Sequence, residues 1–209
     1  MHFPSRRVTA VMAAITTGAV LGAPMQAVAA GSAEPQAHHQ ADLSKSLQRS
    51  IAAYRLSDVT LVREDGKNVK FPREIDDGRP VILNFIFTSC SSVCPLASAV
   101  FGQLQSRLGP DRDRVHLVSI SIDPEQDTPR RLLEYARRFG AGPEWRHYTG
   151  SVQASIALQR DFNVYRGDKM SHTPVTLLRA APGEPWVRLD GFATANDLYS
   201  EYQLLTASR

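Results

Sequence analysis

The run Val81-Ile82-Leu83-Asn84-Phe85-Ile86-Phe87 is short, almost wholly apolar and rich in β-branched and aromatic side chains. A strand of that kind must be covered on both faces, so helices have to flank the sheet that holds it. The chain supplies them. Leu96, Val100, Phe101, Leu104 and Leu108 recur at helical spacing immediately downstream. Residues 115–122 predict a second central strand. Thr128-Pro129 then reads as an N-cap followed by Pro at the first helical position, with Leu132, Leu133, Ala136 and Phe139 as the buried stripe.

A short strand around Trp145 and His147 and a helix starting at Ser151 come next. Residues 175–179 and 186–189 predict a hairpin across Pro182-Gly183, and Leu198, Tyr202 and Leu205 mark a final helix. At the other end, residues 56–62 and 68–71 flank Glu64-Asp65-Gly66-Lys67, where Asp-Gly is a strong hairpin signal. This order predicts an α/β fold: a thioredoxin-like mixed sheet with helices on both faces and an added N-terminal β-hairpin.

The first 29 residues read as a signal peptide. Residues 2–7 are short and basic, residues 8–23 are uncharged and apolar, and Ala27-Val28-Ala29 supplies small side chains for cleavage. A retained membrane anchor is the competing reading, but a span needs about 20 strongly apolar residues, and Thr16, Thr17 and Gly18 interrupt this one. Export to the periplasm is therefore expected. Residues 30–53 read as a flexible linker, polar and without periodicity, in which His38-His39 is either a loose metal-capturing pair or simply solvated. Residues 54–209 then form the one folded domain. The formal charge of +3 includes Arg6 and Arg7 of the signal. Taking those two from the 24 basic residues leaves 22 against 21 acidic ones, so no nucleic-acid partner is indicated.

The chemistry is concentrated in Cys90-Ser91-Ser92-Val93-Cys94-Pro95, which holds both cysteines of the chain. Closing so short a loop as a disulfide stabilises by only about 2 kcal/mol in the chain-entropy model, a weak reason for the pair. Both thiols follow a buried strand and open a helix, where ligands tend to bind and where thiol pKa values fall. On one helical face, a spacing of four would let both sulfurs grip a single ion. The spacing alone leaves metal binding and redox chemistry open. His172, directly before the strand Val175-Thr176-Leu177-Leu178, is a possible third ligand beside the cysteine loop. His116 and His147 lie in strands and read as packed or hydrogen-bonded residues.

Phe87-Thr88-Ser89-Cys90-Ser91-Ser92-Val93-Cys94-Pro95, then Ser121-Ile122-Asp123-Pro124-Glu125-Gln126-Asp127-Thr128-Pro129, then His172 resemble the Sco/SenC family of copper-binding assembly factors. The resemblance covers about residues 54–206. It implies a thioredoxin-like domain in which Cys90, Cys94 and His172 hold copper. It also implies a role in assembling the binuclear copper site of cytochrome c oxidase subunit II, by delivering copper, by reducing the target's cysteines, or both. The partner is then subunit II or another exported copper protein, with a periplasmic copper donor or thiol reductant upstream. Two thiolates and an imidazole suit Cu(I), while zinc could also occupy such a set. An oxidised Cys90–Cys94 pair would lose two ligands, so metal loading is expected to be redox-gated.

Two features depart from the family pattern. Ser171 stands where an acidic residue usually precedes the histidine, and Pro174 follows it closely. Thr173-Pro174 resembles the cis-proline of thioredoxin-like enzymes, which keeps open a thiol–disulfide oxidoreductase using Cys90 and Cys94 as its redox pair. A peroxidase-like redoxin with Thr88 and Ser89 near its cysteine is the third class. Asp123 and Asp127 read equally as a pair that docks a partner or supports the metal ligands from behind, or as loop and helix-start chemistry. Met170 reads as a packed side chain rather than an axial ligand. Arg130, Arg131, Arg137 and Arg138 read as the solvated face of a helix.

Overall fold

The computed structural model describes residues 47–207. The expected signal peptide and His38-His39 lie outside them. In chain order the elements are β1 (Gln48–Ala52), β2 (Thr60–Arg63), β3 (Asn68–Lys70), α1 (Phe71–Glu74), β4 (Val81–Ile86), α2 (Val93–Leu108), β5 (His116–Ser121), α3 (Pro129–Arg138), β6 (Trp145–Gly150), α4 (Val152–Asp161), β7 (Val175–Arg179), β8 (Trp186–Asp190) and α5 (Ala195–Ala207). Two 3-10 turns, Gly109–Arg114 and Lys169–Ser171, complete the set.

The eight strands form one sheet in the order β1-β8-β7-β4-β5-β6-β2-β3. Strands β4, β5 and β6 run parallel, joined through α2 and α3, and every other pairing is antiparallel. The predicted N-terminal hairpin is β2–β3, turning at Gly66 with φ +85°, where glycine needs no Cβ clearance. Every residue of β4 and β5 is buried, as their apolar runs require. Alternate side chains feed two cores. Leu83, Phe85, Val118 and Ile120 pack with Leu158 of α4 and Phe162. Ile82 and Leu117 pack with Phe101, Leu104 and Leu108 of α2 and Leu198 of α5. The helix starts obey local rules: Thr128 accepts from the Arg131 N–H at 3.3 Å, and Ser151 from the Ala154 N–H at 3.1 Å.

Two expectations are corrected. The linker was expected to run to residue 53, but Gln48–Ala52 is an edge strand paired with β8. Its side chains are almost all exposed and show no alternation, so backbone pairing with β8, joined by the Arg49–Glu201 ion pair at 2.7 Å, rather than burial, holds it. Thr173–Pro174 is trans, since no peptide bond among the described residues is cis, and the likeness to a cis-proline does not hold. No helix among the described residues is long and apolar enough to cross a membrane.

Candidate metal centre

The cysteines sit where parallel strand β4 hands over to α2. Helix α2 begins at Val93, so Cys94 lies in its first turn while Cys90 lies ahead of it, in the loop. The two are therefore not stacked on one helical face, as the spacing alone suggests. The loop curls instead. The Cys90 N–H donates to the Phe87 carbonyl at 3.1 Å, and the Cys94 N–H points at Cys90 Sγ at 3.5 Å. Both thiols are free.

Their environments differ. Cys90 is partly exposed; burial opposes its ionisation, but the backbone N–H groups of Cys94 and Ser92 outweigh that and hold its pKa below the ordinary thiol value. Cys94 is 2% exposed, and burial pushes its thiol up to about 12 against a single backbone donor at Phe87. Cys90 is thus the reactive thiol and Cys94 the protected one.

Asp127 is fully buried and ties the cysteine loop to the end of β5. It accepts from the Thr88 N–H at 3.1 Å, the Thr88 hydroxyl at 2.5 Å and the Ser121 hydroxyl at 2.6 Å. Asp123 is 6% exposed and accepts from Lys169 Nζ at 2.6 Å. Lys169 stands three residues before His172, so this pair ties the histidine turn to the same β5 loop. Both carboxylates are occupied inside the protein. Lys169 escaped sequence reasoning because nothing local distinguishes it from any surface lysine.

His172 leaves the 3-10 turn and leads into β7. Its Nε2 lies 3.1 Å from the Phe85 carbonyl. A carbonyl only accepts, so Nε2 carries the proton and Nδ1 keeps its lone pair. Burial lowers the His172 pKa, partly offset by that carbonyl, which keeps the ring neutral near pH 7. His172 and Cys94 line the same small recess. Even so, no three Cys, His, Asp or Glu side chains among the described residues converge closely enough to hold a metal ion. The structure brings the two thiols together and places the imidazole, held on Phe85, on the recess that Cys94 lines. Two soft sulfurs and a neutral imidazole with a free lone pair are a chemically suitable set for Cu(I).

The remaining candidates fall elsewhere. Met170 is 74% exposed, which overturns the expectation that it packs: the Asp168 carboxylate caps its N–H at 2.9 Å and turns the side chain outward. His116 stands at the opposite end of β5, 2.9 Å from Asp77. His147 is fully buried in β6. Arg130, Arg131, Arg137 and Arg138 are exposed, as expected of a solvated face. Arg130 pairs with Glu134 at 3.0 Å, and Arg138 lies 5.0 Å over the Tyr135 ring.

The model of the SCO1/SenC family matches residues 52–204. The chain belongs to the SCO1/SenC family. Its thioredoxin-like sheet is the fold of solved Sco structures. The SCO1 protein homolog of Bacillus subtilis is 34% identical over 104 residues, which cover 49% of this chain and 53% of that protein. BsSco, a member of the Sco family of cytochrome c oxidase assembly proteins in which a disulfide switch was identified, is 25% identical with a TM-score of 0.63, covering 77% of this chain and 98% of that structure. Arabidopsis thaliana ScoI, solved with copper bound, is 27% identical with a TM-score of 0.57, covering 77% and 100%. The chain thus matches about half the length of the Bacillus subtilis relative.

Proposed function

We propose that this Sco/SenC protein is an exported, periplasmic copper-binding assembly factor that holds copper through Cys90, Cys94 and His172. Its recipient is the binuclear copper site of cytochrome c oxidase subunit II or another exported copper protein. The observation that carries the reading is a pair of free thiols, one of them sharing a recess with an imidazole whose Nδ1 lone pair is available. The copper-bound Arabidopsis relative and the assembly role of BsSco support it.

Each residue has a distinct task. Cys90, held low by backbone donors, meets the ion first. Cys94, buried and protonated, loses its proton on binding, so affinity rises with pH. His172 offers Nδ1 while its Nε2–H stays on Phe85, the carbonyl partner that fixes the ring's tautomer.

The unequal cysteines favour a second reading, thiol–disulfide exchange. The Cys90 thiolate would attack one sulfur of a target disulfide and release the other. Cys94 would then attack Cys90, free the target dithiol and leave a Cys90–Cys94 disulfide for a periplasmic thiol reductant. Copper stoichiometry and affinity of the reduced protein under anaerobic conditions, with His172→Ala in parallel, separate the two. One ion per chain that weakens at least tenfold in the variant supports the copper carrier. Binding indifferent to His172 sinks that site and leaves dithiol chemistry.

A further inference from the structure

Asn84 is the one polar residue in the apolar run of β4, and it is 1% exposed. It faces α2, in register with Ser119 of β5 on one side and Thr176 of β7 on the other. Its orientation is dictated by a relay. The Trp145 indole N–H donates to Ser119 Oγ at 2.9 Å, and the Ser119 hydroxyl donates onward to Asn84 Oδ1 at 2.7 Å. The serine has a single hydrogen, so the amide oxygen must face β5 and the amide nitrogen must face the β7 side.

That nitrogen, Nδ2, finds no partner in the protein. Buried donors without partners are rare and cost about 1–3 kcal/mol each. On the side it faces lies a recess of about 20 Å³, lined by Asn84, Thr176, Cys94, Phe101 and His172. A single water needs roughly 10–15 Å³ of such space and two or more polar neighbours. The recess meets both conditions.

We propose that this recess binds one water, held by Asn84 Nδ2, which donates a hydrogen bond to the Cys94 sulfur. Asn84 is then a positioning residue: through the water it supports the negative charge that Cys94 must carry as a metal ligand. The metal-binding half of the inference rests on the copper reading above, whereas the water site does not. Cys94 is 2% exposed and lines the recess, so a water seated there is the donor its sulfur can reach without bulk solvent.

High-resolution diffraction of the reduced wild-type protein decides the first half. A water within hydrogen-bond distance of both Asn84 Nδ2 and Cys94 Sγ is expected, absent in Asn84→Leu. A dry recess in the wild type overturns the proposal. Competition with a Cu(I) chelator and the thiolate-to-Cu(II) absorption band decide the second. Asn84→Leu is expected to weaken Cu(I) binding about 10-fold or more and to move the band to longer wavelength, because an unsupported thiolate is easier to oxidise. A merely structural role would leave the band where it is. If Asn84→Leu does not fold, Thr176→Val removes one polar wall of the recess and should shift both readouts the same way by less. Wild-type protein that binds no copper through its cysteines would sink the copper reading. Copper binding and band unchanged in the variants would sink the role of Asn84.

Discussion

The two halves of the candidate centre are held in different ways. The cysteine loop is anchored from inside: Asp127, fully buried, accepts three hydrogen bonds from Thr88 and Ser121. The histidine turn is anchored from outside, by the Asp123–Lys169 pair, whose lysine side chain is 38% exposed. A buried carboxylate held by three donors resists displacement, whereas an ion pair whose lysine reaches solvent is partly screened and weaker. The thiols therefore form the more deeply anchored part of the centre, whereas the His172 turn rests on that ion pair and on the single hydrogen bond from Nε2 to the Phe85 carbonyl. That asymmetry suits the proposed role, in which the site accepts an ion and later releases it.

Removing the buried anchor should have the largest effect. Asp127→Ala leaves the Thr88 N–H and two hydroxyls without their charged acceptor and should cost about 3 kcal/mol or more in urea unfolding. A loss under about 1 kcal/mol would show that the cysteine loop does not depend on it.

Acid provides a control lying in the sheet rather than in either half. Burial pushes the His147 pKa down to about 3, so the ring is neutral when folded, while in the unfolded chain it titrates near 6.5. The depressed value means that its contribution is intact above pH 6.5 and is lost progressively as pH falls from 6.5 toward 3. His147→Phe should flatten the stability profile across that window. An unchanged slope would move the acid sensitivity elsewhere.

Thiol reactivity tests the fixed half directly. Cys90 should be alkylated at least about tenfold faster than Cys94 at neutral pH, read site by site by mass spectrometry, because exposure and thiolate fraction both favour it. Equal rates would mean that the loop opens readily and is not the rigid partner.

The smallest effect belongs to the outer anchor. Lys169→Met should change global stability by no more than about 1 kcal/mol. It should nevertheless raise amide exchange in residues 168–172, while the segment around Thr88 stays protected. Loss of protection at Thr88 would collapse the distinction between the halves.

Much of the fold was legible because its signals are local. Two apolar runs, Asp65-Gly66, the Thr128-Pro129 start and the Ser151 cap act within a few residues and mean the same thing in any context. The expected spacer hid β1, because a strand held by backbone pairing with β8 and one exposed arginine leaves no alternating side-chain pattern to read. Placing Cys90 on the helix was an error of one turn, since the helix start depends on how the loop curls back onto Phe87. Met170 was expected to pack because a methionine in a sequence usually does, yet a capped turn holds it in solvent.

By itself, then, the sequence determined the sheet and helix order, the pairing of two thiols within one loop, and the histidine candidate before β7. These follow from periodicity, turn chemistry and residue type, which are properties of neighbouring residues. Only the tertiary structure decided that Asp127 holds one half and Lys169 the other, that the two cysteines differ in burial and acidity, and that Asn84 keeps an unpartnered N–H on a recess that Cys94 also lines. Each of those facts depends on side chains from elements distant in the chain, and on solvent being excluded between them. Exclusion of water makes a carboxylate an anchor and a thiol inert, and it exists only after the layers have closed.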